Sequence, residues 1–274
     1  MIQRPKGGYN PDMREPPLIE IHEATLFRGS TRVFHHFTLV IPQHQCVAIL
    51  GPNGSGKTTL LKAINRELYP VASEHSRIRI LGRERWNVWD LREHIGLVSG
   101  DLQYGFHPEA SALDAVVSGY FSSIGVDARQ WKQLKEEQRE NAEAVLRALG
   151  LGALRDRAYR TLSTGQQRRC LLGRALVHDP DTLILDEPTT GLDLTASFDF
   201  MGRIRDLARR GRSLVLVTHH LNEIPPEVER VIILKEGEIV ADGPKESVLR
   251  PSLLSEVYGV NVRVAEVDGH FLAY

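Results

Sequence analysis

Apolar and polar residues alternate in three short segments of the first third of the chain. Leu18–His22 and Phe37–Ile41 both show the period of two that is typical of strands with one buried face. Arg77–Leu81 repeats the pattern. We therefore predict three half-buried strands in this region.

Other short segments are apolar throughout, as in strands that are buried on both faces. Helices are predicted between them, at 165–177 and 194–210. Strands that alternate with helices of this length predict parallel pairing, with helices on both faces of the sheet. The apolar segments are Cys46–Leu50, Ile95–Val98, Thr182–Leu185 and Ser213–Thr218.

The region from Pro108 to Gly150 has a helical pattern. A short helix is predicted over Glu109–Ser118, and the apolar residues after it fall near one face of a single long helix, interrupted by Gln138. We interpret this block as a helical lobe inserted into an α/β core, and a further layer of core helices is the alternative. The long stripe consists of Trp131, Leu134, Ala142, Val145, Leu146 and Leu149.

Local sequence patterns at both ends of the chain predict how the domain begins and ends. Residues 1–17 are rich in Pro and Gly and predict a flexible tail, followed by one domain over 18–274. Near the C-terminus, hairpins are predicted around Glu236-Gly237 and Asp268-Gly269. The segment Leu253–Val260 between them is interpreted as a helix that, with the second hairpin, closes the sheet.

The composition is that of an ordinary globular protein. Of the 274 residues, 42% are apolar and 25% charged, and Lys plus Arg (34) nearly balance Asp plus Glu (35). The balance gives no signal for direct nucleic-acid binding. Cys46 and Cys170 lie in apolar segments and predict buried thiols. Without a membrane-spanning run or a signal peptide, we expect a cytoplasmic protein that can dock peripherally at the inner face of the cell membrane.

The strongest chemical motif is a glycine-rich loop that follows the apolar run Cys46–Leu50 and precedes a helical segment. Strand, glycine loop and helix in this order predict a nucleotide phosphate site, because backbone N–H groups and the helix N-terminus face the anion. Lys57 would reach the β- and γ-phosphates, and the Thr58 hydroxyl would coordinate Mg²⁺. The loop consists of Gly51, Pro52, Asn53, Gly54, Ser55, Gly56, Lys57, Thr58 and Thr59.

An acidic pair, Asp186 and Glu187, ends the buried strand that begins at Thr182. A carboxylate at Asp186 could hold Mg²⁺ or a water of its shell, opposite Thr58. Glu187 could polarise an attacking water as general base. An acidic pair that only caps the next helix is the alternative, and the upstream phosphate loop disfavours it.

Three further motifs follow the phosphate loop in a fixed order. Leu162–Gln166 resembles a signature loop of sequence LSGGQ, with Thr164 in place of its first glycine. Leu183–Asp193 resembles a Walker B strand with a D-loop, and Thr218-His219 resembles a switch-histidine loop. In this combination the chain resembles the ATP-binding-cassette (ABC) ATPases over nearly its whole length.

The resemblance implies a fold and a pair of ligands. The expected fold is the α/β P-loop NTPase (RecA-like) fold, with a parallel sheet core, an N-terminal antiparallel β subdomain and a helical subdomain inserted at about 104–175. The expected ligands are ATP and Mg²⁺, with Phe27 stacking on the base. The preference for adenine follows from the resemblance alone, since Phe27 stacks on either purine.

The resemblance also implies that two cassettes pair head to tail around two ATP molecules. One subunit supplies the phosphate loop, Asp186, Glu187 and His219, and the other supplies its signature loop to the same γ-phosphate. The partner is a second copy of this chain or a paralogous cassette, and a transmembrane permease is the expected further partner. The signature residues assigned to the ligand are Ser163, Gly165 and Gln166.

Two places depart from the family pattern. Gly100 stands where most members have the Q-loop glutamine, and we assign that role, including Mg²⁺ contact, to Gln103. His220 follows His219, and the place of the histidine directly after the strand selects His219 as the switch residue. The altered Q-loop and the run of Thr218-His219-His220 followed by Glu223–Pro226 both resemble the molybdate-transport-like branch of the family. The C-terminal segment Leu253–Val260 resembles the tail of cassettes that power iron-siderophore, cobalamin and molybdate importers.

The expected function is therefore an ATPase subunit that drives a membrane permease, importing a small solute such as an oxyanion or metal chelate. A soluble cassette ATPase that acts on nucleic acid or ribosomes is the alternative, which the near-neutral charge and the single cassette disfavour. A non-hydrolysing nucleotide-binding scaffold is a third, which the intact Lys57, Asp186, Glu187 and His219 disfavour.

Overall fold

The computed structural model describes residues 15–274, and these form two compact units. Unit 1 comprises the described residues up to Val88 together with Ser213–Tyr274, and unit 2 comprises Trp89–Arg212. Most of the predicted N-terminal tail, residues 1–14, lies outside the described residues. The three described residues of the tail lie against unit 1, where Pro17 is buried and the Pro16 carbonyl accepts a hydrogen bond from Gln43 Nε2 at 2.6 Å.

Strands and helices alternate through much of the described chain. The strands are β1 (Ile19–Arg28), β2 (Thr31–Ile41), β3 (Cys46–Leu50), β4 (Arg77–Ile80), β5 (Ile95–Ser99), β6 (Thr182–Asp186), β7 (Ser213–Thr218), β8 (Arg230–Lys235), β9 (Glu238–Pro244), β10 (Val264–Val267) and β11 (His270–Ala273). The α-helices are α1 (Lys57–Ile64), α2 (Val88–His94), α3 (Ala112–Val117), α4 (Ala128–Gln133), α5 (Glu136–Ala148), α6 (Thr164–Leu176), α7 (Leu194–Arg209), α8 (Lys245–Val248) and α9 (Pro251–Tyr258).

In unit 1, four strands lie side by side in the order β7-β3-β8-β9. β3 is parallel to both of its neighbours, and β9 runs antiparallel to β8. The side chains of Val47–Leu50 are fully buried, which explains the uninterrupted apolar run in the sequence. The alternating segments form a separate antiparallel sheet in the order β2-β1-β4, as the α/β fold with an antiparallel β subdomain requires.

Both predicted hairpins are present in unit 1. Glu236 and Gly237 join β8 to β9 with φ of 51° and 79°, and Asp268 and Gly269 join β10 to β11 with φ of 50° and 75°. Two consecutive residues of positive φ match the right-handed twist of the flanking strands. At Gly237 a Cβ would also collide with the carbonyl oxygen of Val33, so a glycine is required there.

Unit 2 contains the parallel pair β5-β6, which places Ser99 opposite Asp186 at the ends of the two strands. The signature helix α6 packs against β5, α3 and α5. Its residues Leu171 and Leu172 are fully buried, and Gly96 on β5 allows this approach because a Cβ there would lie 2.7 Å from the Ala175 carbonyl oxygen.

The single long helix expected over Trp131–Leu149 is wrong, because two helices occupy this stretch. α4 ends at Gln133, Leu134 and Lys135 are extended, and α5 begins at Glu136. The Gln138 side chain accepts a hydrogen bond from the Lys135 N–H at 3.1 Å and so caps the start of α5. Gln138, the residue that interrupts the apolar stripe, thus marks a helix start rather than a helix interior.

Neither of the two cysteines forms a disulfide within residues 15–274. Cys170 is buried as expected, and burial raises the pKa of its thiol to about 12. Cys46 is only half-buried, which corrects the prediction for that residue, and partial burial raises its thiol pKa as well. Within residues 15–274, every helix is too short or too polar to cross a membrane.

Candidate functional site

The glycine-rich loop lies between β3 and α1 of unit 1, the strand-to-helix context that the motif requires. Gly56 is the N-cap of α1 with φ of 109°, and no side chain caps the helix. The first N–H groups of α1 are therefore available to an anion, which the helix dipole attracts. In this loop Gly51, Ser55, Lys57 and Thr59 are buried, Pro52 and Gly56 are half-buried, and Asn53, Gly54 and Thr58 are exposed.

Two polar side chains inside the loop are suited to a phosphate. Lys57 is 7% exposed, and its Nζ donates hydrogen bonds to the carbonyl oxygens of Gly51 at 2.6 Å and Pro52 at 3.1 Å. The Ser55 hydroxyl is buried and has no hydrogen-bond partner within residues 15–274. A buried hydroxyl of this kind costs about 1–3 kcal/mol, which a phosphate oxygen accepting its proton would remove. The loop therefore fits a nucleotide phosphate.

The glycines of the loop serve packing as well as ligand access. A Cβ at Gly51 would collide with the carbonyl oxygen of Leu234, and one at Gly56 would lie 2.7 Å from Cζ of Phe34. Gly54 is different, because it has φ of 81° but open space where a Cβ would stand. The first glycine thus lets the loop lie close to β8 of its own sheet, and the third lets it lie close to β2 of the antiparallel sheet.

The switch histidine lies at the same edge of unit 1 as the loop. β3 and β7 pair in parallel register with Leu50 opposite Thr218, so Gly51 and His219 leave adjacent strand ends. Thr218 is fully buried, and its hydroxyl donates a short hydrogen bond to Glu223 and accepts one from the His220 N–H at 2.9 Å. These contacts fix the backbone on both sides of His219. The sequence marks Glu223 only as part of an unusual segment after the two histidines, and its contact with Thr218 was not predicted.

The other predicted residues of unit 1 are accessible to a ligand. His219 is half-buried, and its ring centroid lies 3.8 Å from that of the exposed His220. Phe27 lies on β1 opposite Arg32 and is 37% exposed, as a residue that stacks on a base must be. Whether His219 rather than His220 acts on the ligand stays a prediction.

In unit 2 the acidic pair lies at the end of β6. Asp186 Oδ2 accepts a hydrogen bond from the Ser99 hydroxyl at 3.5 Å. Glu187 has φ of 45°, a left-handed conformation that is uncommon for a side-chain-bearing residue and is often found at functional sites. Its carbonyl and side chain both accept hydrogen bonds from Thr190, at 3.2 Å and 3.4 Å.

The signature segment forms the N-terminus of α6. Ser163 is its N-cap, and the Ser163 hydroxyl and Gln166 side chain form a reciprocal capping box. Gln166 is therefore bonded to the Ser163 N–H at 3.0 Å, while Ser163 and Thr164 are exposed. Gly165 is buried, and a Cβ there would lie 2.8 Å from Cβ of Ala196. Only glycine lets the signature helix approach α7 this closely.

Gln103, the residue assigned to the Q-loop from the sequence, is held by the signature helix. It is 7% exposed, and its Nε2 donates a hydrogen bond to Oε1 of Gln167 at 2.8 Å. Gly100 lies beside Arg168, whose guanidinium nitrogens would be in ordinary van der Waals contact, at 3.6–3.7 Å, with a Cβ at this position. Arg168 also donates to the Thr190 carbonyl oxygen at 3.0 Å. Nothing in the sequence except their place on the predicted helix indicated that Gln167 and Arg168 make these contacts.

Each unit thus gathers one part of the predicted site. Unit 1 brings the phosphate loop and His219 to adjacent strand ends. Unit 2 gathers Ser99, Asp186 and Glu187 at one strand edge and ties Gln103 to the signature helix. The described residues hold no cluster of three or more His, Cys, Asp or Glu that could bind a metal by itself.

Residues 34–190 match the ABC transporter family. The chain belongs to this family. YlmA of Bacillus subtilis, an uncharacterized ABC transporter ATP-binding protein, is 33% identical over 252 residues, covering 90% of this chain and 93% of the relative. The hemin import ATP-binding protein HmuV of Rhodopseudomonas palustris is 29% identical over 256 residues, covering 90% and 92%.

Solved structures show the same fold. An ABC transporter described as of metal-chelate type, in an inward-facing conformation, superimposes with a TM-score of 0.75 at 22% identity, over 94% of this chain and 96% of that one. CbiO1 of Clostridium perfringens, part of the CbiONQ complex, gives 0.70 at 27% identity, over 88% and 93%. A dimeric cassette with bound ADP and phosphate gives 0.67 at 26% identity, over 82% and 98%. The chain is an ABC transporter ATP-binding subunit and an ATPase.

Proposed function

We propose that two copies of this chain bind two ATP molecules head to tail, and that Mg²⁺-dependent hydrolysis drives a membrane permease that imports a small solute. The observation that carries the proposal is the strand edge shared by the phosphate loop and His219, together with the Ser55 hydroxyl inside the loop, which has no hydrogen-bond partner in the described part of the chain. This edge offers a phosphate chain one buried cation, one hydroxyl, a helix N-terminus and a histidine.

The proposed chemistry is attack of water on the γ-phosphorus, with cleavage of its bond to the β,γ-bridging oxygen, so that ADP leaves and inorganic phosphate is formed. Glu187 orients the water and accepts its proton, while Lys57 and His219 stabilise the charge on the γ-phosphate oxygens. Thr58 and Asp186, with Gln103, are the proposed Mg²⁺ ligands, and the ion would neutralise charge on the phosphates when bound. Hydroxyl, carboxylate and amide oxygens are suitable ligands for this hard cation.

The signature segment is the proposed contribution of the opposite subunit. Ser163 and Thr164 are exposed at the N-terminus of a 13-residue helix, where the dipole favours an anion. ATP bound by one copy would thus be a bridge to the other, and hydrolysis would remove the bridge. Because Gly165 is buried against α7, we assign it a packing role as well as the proposed backbone contact with ATP.

The solute and the permease are proposed from relatives. The similar proteins include subunits for hemin, cystine and zinc transport, so a small solute such as a metal chelate or an oxyanion is proposed for this chain. A subunit of this kind works at the inner face of the cell membrane, bound to its permease. A paralogous cassette in place of the second copy is the alternative partner.

A Glu187→Gln variant tests the ATPase cycle. We expect turnover to fall by about 10²- to 10⁴-fold, because the general base is lost while ATP binding is kept. Sedimentation of this variant with ATP and Mg²⁺ should show a dimer, and Lys57→Ala, which weakens phosphate binding, should keep it monomeric. Hydrolysis of ATP by the Glu187→Gln chain at the parent rate would contradict the assignment of Glu187 as the general base.

The permease is tested separately, by affinity purification of the tagged chain from solubilised membranes of its own organism. Recovery of one multi-span protein, in an amount that matches the cassette, supports the transport role. ATPase stimulation by nucleic acid or ribosomes, with no membrane protein recovered, would instead support the soluble alternative.

A further inference from the structure

Helix α7 exposes an apolar stripe that nothing within residues 15–274 covers. Leu194 and Phe198 are 74% and 72% exposed, and Met201 continues the line with partial exposure. Their spacing of four and three residues puts the three side chains on one face of the helix. The helix buries a different face through Phe200 and Ile204. α7 is therefore apolar on two sides, although only one is needed for its own fold.

A matching apolar groove of about 550 Å³ lies in unit 1, beside the switch histidine. Its wall consists mainly of C-terminal side chains, and two of these, Val260 and Leu272, are 61% and 42% exposed. The residues that form the wall beyond His219 and His220 include Leu254, Tyr258, Val260, Val262 and Leu272.

The groove is a formed part of unit 1. The C-terminal strand β11 packs against the turn Leu221–Glu223 that directly follows the two histidines. Tyr258, on the last turn of α9, has a buried hydroxyl with no hydrogen-bond partner within residues 15–274. The groove therefore combines apolar side chains with an unused hydrogen-bonding group.

We propose that the Leu194–Phe198 stripe of one copy docks in this groove of the second copy when the two pair around ATP. The inference rests on the proposed function. It is argued from continuity with the proposed dimer interface, since Leu194 directly follows the D-loop residue Asp193 and the groove begins at His219. Both elements thus start at segments assigned to that interface.

The chemistry of the two surfaces is complementary. An amphipathic helix that lays residues one turn apart into an apolar groove is a common mode of protein recognition. In a two-fold symmetric pair the contact forms twice, with each copy giving its stripe and receiving the other. The contact would add apolar burial to the ATP bridge and would link the C-terminal hairpin to dimer closure.

The test uses the full-length chain carrying Glu187→Gln, with ATP and Mg²⁺, and measures the dimer dissociation constant by sedimentation. We expect Phe198→Asp and Val260→Asp each to weaken the dimer by about 10-fold or more, because a charge would be buried in an apolar contact. Val71→Asp is the matched control, since Val71 is 51% exposed outside the groove and its substitution should leave the dimer unchanged.

A charge pair gives the sharper test. Phe198→Asp combined with Val260→Lys should restore much of the affinity that either single change loses, because the opposite charges meet only if the two side chains face each other across the interface. All of the substituted side chains are exposed, and binding of a fluorescent ATP analogue to the monomer should be unchanged in each variant.

Two negative outcomes are distinguishable. If the Glu187→Gln chain stays monomeric with ATP, the proposed dimer is overturned and the docking with it. If the dimer forms and neither Phe198→Asp nor Val260→Asp weakens it, the docking alone is overturned. An unchanged dimer that no longer co-purifies with the permease would assign the stripe to the permease and would likewise overturn this inference.

Discussion

The side chain of Gln103 donates a hydrogen bond to that of Gln167 at 2.8 Å, so the loop after β5 is tied to the signature helix. Gln167 is itself anchored, because its Nε2 donates to the Tyr159 carbonyl oxygen at 3.0 Å. A movement of the signature helix would therefore displace the side chain of Gln103, the residue assigned to the Q-loop.

Replacing Gln167 should separate stability from catalysis at this pair. In Gln167→Leu the buried Gln103 amide loses its acceptor, and we expect the free energy of unfolding to fall by about 1–3 kcal/mol. Gln103→Leu removes the donor and leaves the half-buried Gln167 oxygen without it, so it should cost less stability, yet it should lower ATP turnover more. Urea unfolding and steady-state ATPase assays measure the two effects.

Gln167→Glu is the control for this pair, since a carboxylate oxygen still accepts the Gln103 bond. It loses the hydrogen bond that Gln167 donates to the Tyr159 carbonyl oxygen, so it should recover only part of the stability lost in Gln167→Leu. Parent-like turnover in Gln103→Leu would remove Gln103 from the proposed Mg²⁺ and water contacts.

Two glycines in helices should respond oppositely to alanine. Gly165→Ala places a Cβ 2.8 Å from that of Ala196, so it should push the signature helix from α7 and weaken both folding and ATP-dependent dimerisation. Gly202→Ala meets nothing within 4 Å and should raise stability by about 0.5–1 kcal/mol through helix propensity. Thermal unfolding of the two variants compares them directly, and stabilisation by Gly165→Ala would contradict the packing role.

The buried Glu223 should affect turnover without affecting ATP binding. In Glu223→Ala the Thr218 hydroxyl loses its acceptor, and the backbone around His219 loosens while the phosphate loop is untouched. We expect kcat to fall by about 10-fold with little change in KM for ATP, a loss of about 1.4 kcal/mol of transition-state stabilisation. Glu223→Gln keeps an acceptor and should restore most of the rate. A raised KM with normal kcat would instead mean that Glu223 supports ATP binding.

Tyr258 should make the stability fall at alkaline pH. Burial raises the pKa of its hydroxyl from 10 to about 12. The folded chain therefore keeps the proton where the unfolded chain has lost it, so this stability is present below pH 10 and is lost as the pH rises to about 12. In Tyr258→Phe the free energy of unfolding should decline less over this range.

Urea titrations at pH 8 and pH 11 would measure the effect of Tyr258. Tyr274→Phe is the matched control, since Tyr274 is 72% exposed and should leave the pH dependence unchanged. At neutral pH, Tyr258→Phe should be neutral or stabilising, because it removes a buried hydroxyl that has no partner in the described chain. An identical alkaline decline in Tyr258→Phe and the parent would rule out Tyr258 as its source.

Local structure could be predicted from the sequence at positions where only a few residue types satisfy the backbone. The phosphate loop, the two hairpins and the strand at Cys46–Leu50 were predicted correctly, because glycines of positive φ and uninterrupted apolar runs have few structural meanings. The helix break at Leu134 was missed. A residue such as Gln138 serves equally well inside a helix or as its cap, and its hydrogen-bonding partner is visible only in the folded chain.

The sequence alone determined the class of protein and its chemical groups, because phosphate binding, helix capping and turn formation depend on residues close together in the chain. The tertiary structure decided which distant residues hold those groups. Gln167 holds Gln103, Glu223 fixes the strand end before His219, and Ala196 requires a glycine at 165. These contacts depend on packing between elements far apart in sequence, where any of several polar or small residues would satisfy the local pattern equally well.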